Sequence, residues 1–86
     1  MSLYKLQFSV AFDRSFRKIH PTDKKRVLEE VKKLAEEPFP KGKKVKHLVG
    51  TQGWRLRVGK VRVIYFVEEK NKIIFLEDVA YRKDIY

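Results

Sequence analysis

A Gly-Lys pair at positions 59 and 60 separates two runs of strand-forming residues, 54–58 and 61–67. Glycine reaches the positive backbone angle that the first position of a type II′ turn requires, so the pair indicates a two-residue β-hairpin. Such a turn also predicts the register, with Val58 opposite Val61 and Arg57 opposite Arg62. The two faces of this hairpin can therefore be assigned residue by residue.

Further strand-like and helix-like segments surround the hairpin. A run from Ile73 to about Ala80 adds a third strand after a polar loop, residues 68–72. Near the amino terminus, Tyr4, Leu6 and Phe8 alternate with polar residues, as in a half-buried strand. The sequence thus predicts one early strand and a late three-stranded antiparallel meander.

Two helices are predicted between these strands. Ser9 is a suitable N-cap for a short helix whose apolar side is Phe12, Phe16 and Ile19. His20-Pro21 is expected to end it, with His20 as a loop residue and not a catalytic base. Thr22 or Asp23 can cap the second helix, which Pro38 and Pro40 stop. Its apolar stripe comprises Val27, Leu28, Val31, Leu34 and Ala35.

The order of these segments predicts an α+β fold: a strand, a two-helix hairpin and the meander, with the helices packed on one face of a small twisted sheet. The chain has 86 residues. That length suits a single domain spanning residues 1–86.

Positive charge is concentrated in one part of the chain. The formal net charge is +10, from 21 Lys and Arg against 11 Asp and Glu. Residues 38–67 hold no acidic residue and eight basic ones, so +8 of the charge lies there. A mixed, solvated Lys/Glu surface is the alternative explanation, but such surfaces interleave both signs. The segment therefore indicates a polyanionic partner.

Other classes of site and location are disfavoured. The chain has no cysteine, and its two histidines have no acidic or histidine neighbour at metal-ligand spacing. We therefore expect no disulfide, metal or other cofactor. The amino terminus lacks the pattern of a signal peptide, and no apolar run is long enough to span a membrane. A cytoplasmic location is expected.

Three arginines are predicted to share one face of the hairpin. In the predicted register Arg55, Arg57 and Arg62 all point away from Leu56 and Val58. Like charges opposite each other destabilise a sheet by roughly 0.2 to 1 kcal/mol per pair. An anionic ligand would remove that repulsion, and the planar guanidinium binds two phosphate oxygens at once. The alternative is that each arginine reaches solvent or pairs with a glutamate.

Arg82 is a conditional fourth member of this set. If Val67 pairs with Ile73, even-numbered residues of the last strand face the same way as Arg62, whereas a one-residue slip would reverse this. Tyr81 and Tyr86 flank Arg82, and aromatic rings beside arginines suit stacking on unpaired RNA bases. The alternative for each tyrosine is packing in the core or at the terminus. Further RNA contacts are expected from the basic loop and the turn, at Lys41, Lys43, Lys44, Lys46 and Lys60.

The run W-R-L-R-V-G-K-V-R-V-I-Y-F-V, followed later by A-Y-R-K-D-I-Y, resembles the carboxy-terminal half of RelE-type toxins of the RelE/ParE superfamily. The resemblance implies a RelE-like fold and a toxin of a type II toxin–antitoxin module. Its implied activity is that of a metal-independent endoribonuclease, an mRNA interferase that cuts mRNA in the ribosomal decoding site and inhibits translation. The implied catalytic residues are Arg55, Arg57, Arg62, Arg82 and Tyr86.

The resemblance leaves the proton-transfer group unassigned. Some relatives have lysines where this chain has Arg55 and Arg57, and a histidine where it has Tyr81. A guanidinium does not act as a general base, because it does not give up its proton in proteins. Residues 38–67 also supply no carboxylate. Binding and charge stabilisation are thus assigned more fully than proton transfer.

Two other functions fit the same sequence. One is a ParE-like toxin that inhibits DNA gyrase without cutting RNA, and the other is a non-enzymatic, basic nucleic-acid-binding protein. The implied partners are a cognate antitoxin, the ribosome and mRNA, in a toxin–antitoxin hetero-oligomer and with no membrane partner. The antitoxin is expected to cover apolar residues beside the arginines, predicted as Ile64, Phe66, Ile74 and Leu76.

Overall fold

A five-stranded sheet with two helices makes up the part of the chain that the computed structural model describes, residues 3–40 and 45–82. The elements are β1 (Lys5–Phe8), α1 (Val10–Phe16), α2 (Pro21–Leu34), β2 (Val45–His47), β3 (Trp54–Val58), β4 (Val61–Glu68) and β5 (Ile73–Tyr81). The strand order is β1-β5-β4-β3-β2, with β1 parallel to β5 and every other pair antiparallel. The predicted α+β class is confirmed.

The central hairpin has the predicted turn and register. Gly59 has φ of +59°, whereas Lys60 keeps a negative φ, which is the type II′ pattern. Val58 pairs with Val61 and Arg57 with Arg62. The assignment of side chains to the two faces of β3 and β4 therefore holds.

The hydrophobic core lies between the helices and one face of the sheet. Tyr65 is fully buried at its centre, and its hydroxyl donates a hydrogen bond to the carbonyl oxygen of Pro38 at 2.7 Å. This contact joins the chain after α2 to the middle of the sheet. The apolar core side chains are Phe12, Ile19, Val27, Val31, Leu34, Leu56, Val58, Val61, Val63, Ile74, Leu76 and Val79.

The junction between the helices differs from the prediction. Ser9 caps α1 as expected, but the helix ends at Phe16, and Ile19 is buried from the turn that follows. His20 is the N-cap of α2, with Nδ1 accepting from the Thr22 amide at 3.2 Å. The prediction of Thr22 or Asp23 as the cap was wrong. Pro21 explains this, since proline favours the first helical position and leaves His20 extended just before it.

One strand was not predicted at all. Val45–His47 pairs with Leu56, Arg55 and Trp54 and forms the outer edge of the sheet. Three residues are too few to show an alternating pattern, so the sequence carried no signal for β2. The antiparallel meander therefore has four strands instead of three.

The pairing of β4 with β5 contains two displacements of one residue each. Val67 pairs with Ile74 and not with the predicted Ile73. Ile74 and Leu76 therefore point into the core, where both have 0% exposure, and the prediction that they lie beside the arginines was wrong. Further along, the register shifts between Ile64 and Tyr65, which leaves Glu77 as an extra residue, a β-bulge. The bulge offsets the first displacement and returns the later even-numbered residues to the Arg62 side.

Candidate nucleic-acid interface

The sheet face opposite the helices, here called the open face, is basic at one end and apolar at the other. Residues paired across neighbouring strands project to the same side, so the register gives its layout in rows. The row next to the hairpin turn is Arg57, Arg62 and Ala80, and the second row is Lys46, Arg55, Ile64 and Asp78. The third row is Phe66, Phe75 and Gln7, and the fourth is Glu68, Ile73 and Lys5.

Arg62 is the most enclosed residue at the basic end. Its side chain is only 7% exposed, whereas Arg55 is half-buried and Arg57 is exposed. Arg62 Nη1 donates to the carbonyl oxygens of Gly59 at 3.0 Å and Val61 at 3.2 Å. The turn thereby holds one edge of the guanidinium. The other donors of the fork belong to Nε and Nη2.

Arg62 lies in a field of like charges. Burial lowers the pKa of Arg62, and the positive charges of Arg55, Arg82 and Arg57 lower it further, in that order. These four residues, Arg55, Arg57, Arg62 and Arg82, are here called the arginine cluster. Each shift means that the charged form of Arg62 is disfavoured by its surroundings. A bound phosphate would relieve this repulsion with charge-assisted hydrogen bonds.

The β-bulge brings Arg82 into the cluster. Because Ala80 pairs with Arg62, the even-numbered residues after Glu77 face the open side, as the sequence predicted for Arg82. The Arg82 amide donates to the Lys60 carbonyl oxygen at 2.8 Å, which fixes its backbone against the turn. Ser9 holds the bulge, with its amide donating to Leu76 O at 3.0 Å and its hydroxyl to Glu77 O at 2.6 Å.

A pocket of about 510 Å³ opens beside the cluster, a volume in the usual range for ligand sites. Its sheet side is formed by the end of β3 and the hairpin turn, together with Arg62 and Arg82. One side of α2 approaches there, and a side chain at Gly59 would come within 3.3 Å of the Arg26 guanidinium. The lining residues are Arg26, Glu29, Glu30, Lys33, Arg57, Val58, Gly59, Arg62 and Arg82.

The α2 contribution to this pocket was not foreseen. The sequence assigned Arg26, Glu29, Glu30 and Lys33 to the outer side of the helix, since they lie off its apolar stripe. Their spacing of i, i+3, i+4 and i+7 places them on one side. That spacing was the available signal, but nothing in it shows that this side faces the end of β3.

The remaining predicted site residues divide into three groups. Lys46 is exposed on the open face opposite Arg55, and Lys60 is exposed in the hairpin turn. Tyr81 pairs with Val61 and therefore points to the helix side, away from the cluster. The other predicted residues, Lys41, Lys43, Lys44 and Tyr86, lie outside the described residues.

The placement of Tyr81 corrects the expectation that it contacts RNA. Its hydroxyl accepts from the His20 amide at 2.9 Å and donates to Asp23 Oδ2 at 3.1 Å. Both bonds tie the end of β5 to the start of α2. The ring that precedes Arg82 thus anchors the strand and does not offer a stacking surface on the open face.

The apolar end of the open face contains half-buried side chains. Phe66 lies over Gly53, and any side chain at that glycine would approach its ring to 3.1 Å. Phe75 pairs with Phe66 across the strands, and Ile73 follows in the next row. Ile73 and Phe75 occupy the positions predicted for Ile74 and Leu76.

Comparison with protein families and solved structures agrees with this architecture. The family model described as the ParE toxin of type II toxin-antitoxin systems matches residues 6–86. The chain belongs to this toxin family. Among solved structures, the ParE-family chain is similar to one in the archaeal RelE–RelB complex from Pyrococcus horikoshii OT3, with 30% identity and a TM-score of 0.81. That match covers 93% of this chain and 96% of the other.

Two further structures share the fold of this ParE-family toxin at lower identity. The toxin–antitoxin complex RelBE2 from Mycobacterium tuberculosis matches with 22% identity and a TM-score of 0.80, covering 92% of this chain and 98% of the other. The intact Escherichia coli RelBE complex matches with 22% identity and a TM-score of 0.75, covering 91% and 95%. The predicted RelE/ParE superfamily is confirmed.

No curated protein sequence matches this ParE-family chain significantly. Within residues 3–40 and 45–82, neither helix has the length and apolar character needed to cross a membrane.

Proposed function

We propose that this type II toxin is a metal-independent endoribonuclease that cleaves mRNA in the ribosomal decoding site and so inhibits translation. The observation that carries the proposal is the convergence of Arg57 of β3, Arg62 of β4 and Arg82, directly after β5, on one pocket. Each of the three is a residue that the resemblance to RelE-type toxins assigns to catalysis. The repulsion around Arg62 is what a site built for a phosphodiester would carry before its ligand arrives.

In this proposal the arginine cluster binds and stabilises the reacting phosphate. Attack of an mRNA 2′-hydroxyl on the neighbouring phosphorus adds negative charge to the phosphate oxygens in the transition state. Arg62 is held by the turn carbonyls, so its fork meets that charge with little rearrangement. Arg55, Arg57 and Arg82 provide further contacts, and Tyr86 orients a nucleotide by stacking.

The proposed partners follow from the same face. The mRNA runs over Lys46 and Lys60, together with the basic loop of Lys41, Lys43 and Lys44. A cognate antitoxin covers the apolar end of the open face, at Ile64, Phe66, Ile73 and Phe75. The solved complexes similar to this chain contain RelE and RelB together, which supports a protein partner of this kind. We assign the toxin to the cytoplasm, where its ribosomal target lies.

The test is cleavage of a defined mRNA on programmed ribosomes, mapped by primer extension. The wild-type protein is expected to cut within the decoding-site codon, and Arg62→Ala to abolish the cut. Arg62→Lys keeps the charge but loses the fork, so it is also expected to lose most of the activity. Arg14→Ala removes an exposed arginine of α1 and serves as the matched control. An uncut message with the wild-type protein would overturn the proposal.

The match to the ParE model favours a second candidate, a toxin that inhibits DNA gyrase without cutting RNA. The two candidates differ in cells as well as in the ribosome assay. Growth arrest with intact mRNA and impaired DNA supercoiling would support the gyrase alternative. Growth arrest with mRNA cut at codon positions supports the nuclease.

A further inference from the structure

We infer that Glu29 of α2 is the general base of the proposed nuclease, taking the proton from the attacking 2′-hydroxyl. The inference rests on the proposed function and supplies the proton acceptor that the arginine cluster lacks. Its basis is the pocket beside the cluster, whose wall contains Glu29 together with Arg57, Arg62 and Arg82.

The chemistry requires a group other than the arginines. A guanidinium stays protonated and only donates hydrogen bonds, so the arginine cluster stabilises the phosphate but cannot accept the proton. A carboxylate accepts a proton and acts as a general base when it reaches the reacting hydroxyl. Residues 38–67 contain no Asp or Glu, so such a group must come from elsewhere in the chain.

The fold brings α2 to the cluster at one place. The pocket is lined by the end of β3 on one side and by α2 on the other, so a ligand there contacts both the sheet and the helix. Arg26, one turn before Glu29, lies close to Gly59, so this part of α2 lies beside the hairpin turn. The carboxylates in the pocket wall beside Arg57 and Arg62 come from α2, whereas Asp78 of the open face lies outside that lining and accepts from the Val79 amide at 2.8 Å.

The two α2 carboxylates in the pocket wall are not equivalent. Glu30 is paired with Lys33 Nζ at 3.2 Å, and its side chain is only 18% exposed. Glu29 is exposed, so a ribose hydroxyl can approach it from the solvent side of the pocket. Exposure and the Lys33 pairing together favour Glu29 as the acceptor.

The Glu29 carboxylate takes the 2′-hydroxyl proton while the 2′-oxygen forms a bond to phosphorus. The bond from phosphorus to the 5′-oxygen breaks, and that oxygen takes a proton from water. The products are a 2′,3′-cyclic phosphate and a 5′-hydroxyl, and the protonated Glu29 returns its proton to solvent. The arginine cluster holds the phosphate oxygens throughout.

The experiment measures single-turnover cleavage on programmed ribosomes for Glu29→Ala, Glu29→Gln and Glu30→Ala. Both Glu29 variants are expected to cut at least about 100-fold more slowly while still binding ribosomes, in line with the usual contribution of a general base. Added formate, a small carboxylate, is expected to restore cleavage to Glu29→Ala, whereas chloride at the same ionic strength is not. Glu36→Gln, an exposed charge change after α2 and outside the pocket, is expected to match the wild type.

Each other outcome overturns the inference. Cleavage by Glu29→Gln at the wild-type rate would show that no proton acceptor is needed there. Loss of cleavage in Glu29→Ala without rescue by formate would point to a structural role. Loss and rescue in Glu30→Ala instead would move the base to the neighbouring residue. If the wild type fails to cut and Arg62→Ala behaves identically, the proposed nuclease function itself fails, which is a separate result.

Discussion

The helix side of the sheet and the basic end of its open face make opposite contributions to the stability of the fold. The face under the helices buries Leu56, Val63 and Tyr65 among other apolar side chains, so its contacts stabilise the fold. The open face places Arg57 directly opposite Arg62 and brings Arg82 alongside, so its contacts repel. Neighbouring residues on β3 therefore have different roles, because their side chains project to opposite faces of the sheet. The helix side of the sheet supplies stability, and the basic end of the open face keeps a repulsion around Arg62 that a bound anion would relieve.

This contrast explains why the site needs a firm support. A cluster of like charges would spread apart on a mobile loop, whereas on a paired sheet the strands hold it together. Arg62 is fixed through Gly59 and Val61, and Arg82 through Lys60, all at the same hairpin turn. The burial of Val61 on the helix side fixes the same turn from below. The stability provided by the hydrophobic core thus offsets the repulsion among the arginines.

The largest expected effect is on the core side of β3. Leu56→Ala removes a side chain that is 2% exposed and leaves a cavity, so the free energy of unfolding should fall by about 2 to 5 kcal/mol. Urea denaturation followed by circular dichroism measures it. Arg57→Ala, one residue along, is the control on the open face. Equal losses in the two variants would contradict the division of roles between the faces.

Tyr65→Phe tests a polar contact within the core. The variant leaves the Pro38 carbonyl without its partner, so the free energy of unfolding should fall by about 1 to 3 kcal/mol. Denaturation at neutral pH measures this loss. A value near zero would show that the carbonyl finds another donor.

The stability of the wild-type protein is expected to depend on pH through Tyr65. Burial raises the pKa of Tyr65, so above the ordinary tyrosine pKa of about 10 the unfolded state releases a proton that the folded state keeps. Wild-type stability should therefore fall as the pH rises beyond that value. Tyr65→Phe should show a shallower fall, whereas an identical slope would assign the effect to other tyrosines.

Inorganic phosphate should stabilise the folded protein through the open face. At a concentration about ten times its dissociation constant, a ligand that binds only the folded state adds about 1.4 kcal/mol. Thermal melting in phosphate and in chloride at equal ionic strength measures the difference. The gain should disappear in Arg62→Ala and persist in Arg14→Ala. The same gain in both variants would mean that phosphate acts elsewhere.

The smallest effect is expected from Arg57→Ala itself. Removing one of two like charges that face each other across the strands should raise the free energy of unfolding by roughly 0.2 to 1 kcal/mol. The gain should shrink as salt is added, since the repulsion is screened. Denaturation at low and high salt measures both. A loss of stability at low salt would mean that Arg57 makes favourable contacts in the free protein.

The sequence was sufficient wherever a local signal determined the geometry. The Gly59-Lys60 turn determined the register of β3 and β4, and with it the common face of Arg55, Arg57 and Arg62. Ser9 was recognisable as a cap because its hydroxyl bonds three residues ahead, to the Phe12 amide. Both are contacts between near neighbours in the chain.

Features that depend on distant contacts were not predictable in the same way. The bulge at Glu77 depends on Ser9, 68 residues away, so no pattern within β5 reveals it. The predicted side for Arg82 was correct because the one-residue shift at the bulge cancelled the one-residue error in the predicted pairing of Val67. Glu29 and Arg26 looked like ordinary solvent-facing helix residues, and only the packing of α2 beside the hairpin turn brings them to the site.

The extra residue at Glu77 shifts the alternation of β5 by one position. The side to which each later residue points is therefore determined by the bulge and not by the residue type. If β5 instead paired regularly, with Glu77 opposite Ile64, then Asp78, Ala80, Tyr81 and Arg82 would each point to the other side of the sheet. Arg82 would turn under the helices and Tyr81 toward the ligand. One extra residue, held by hydrogen bonds from Ser9, thus determines which residues at the end of β5 face the arginine cluster.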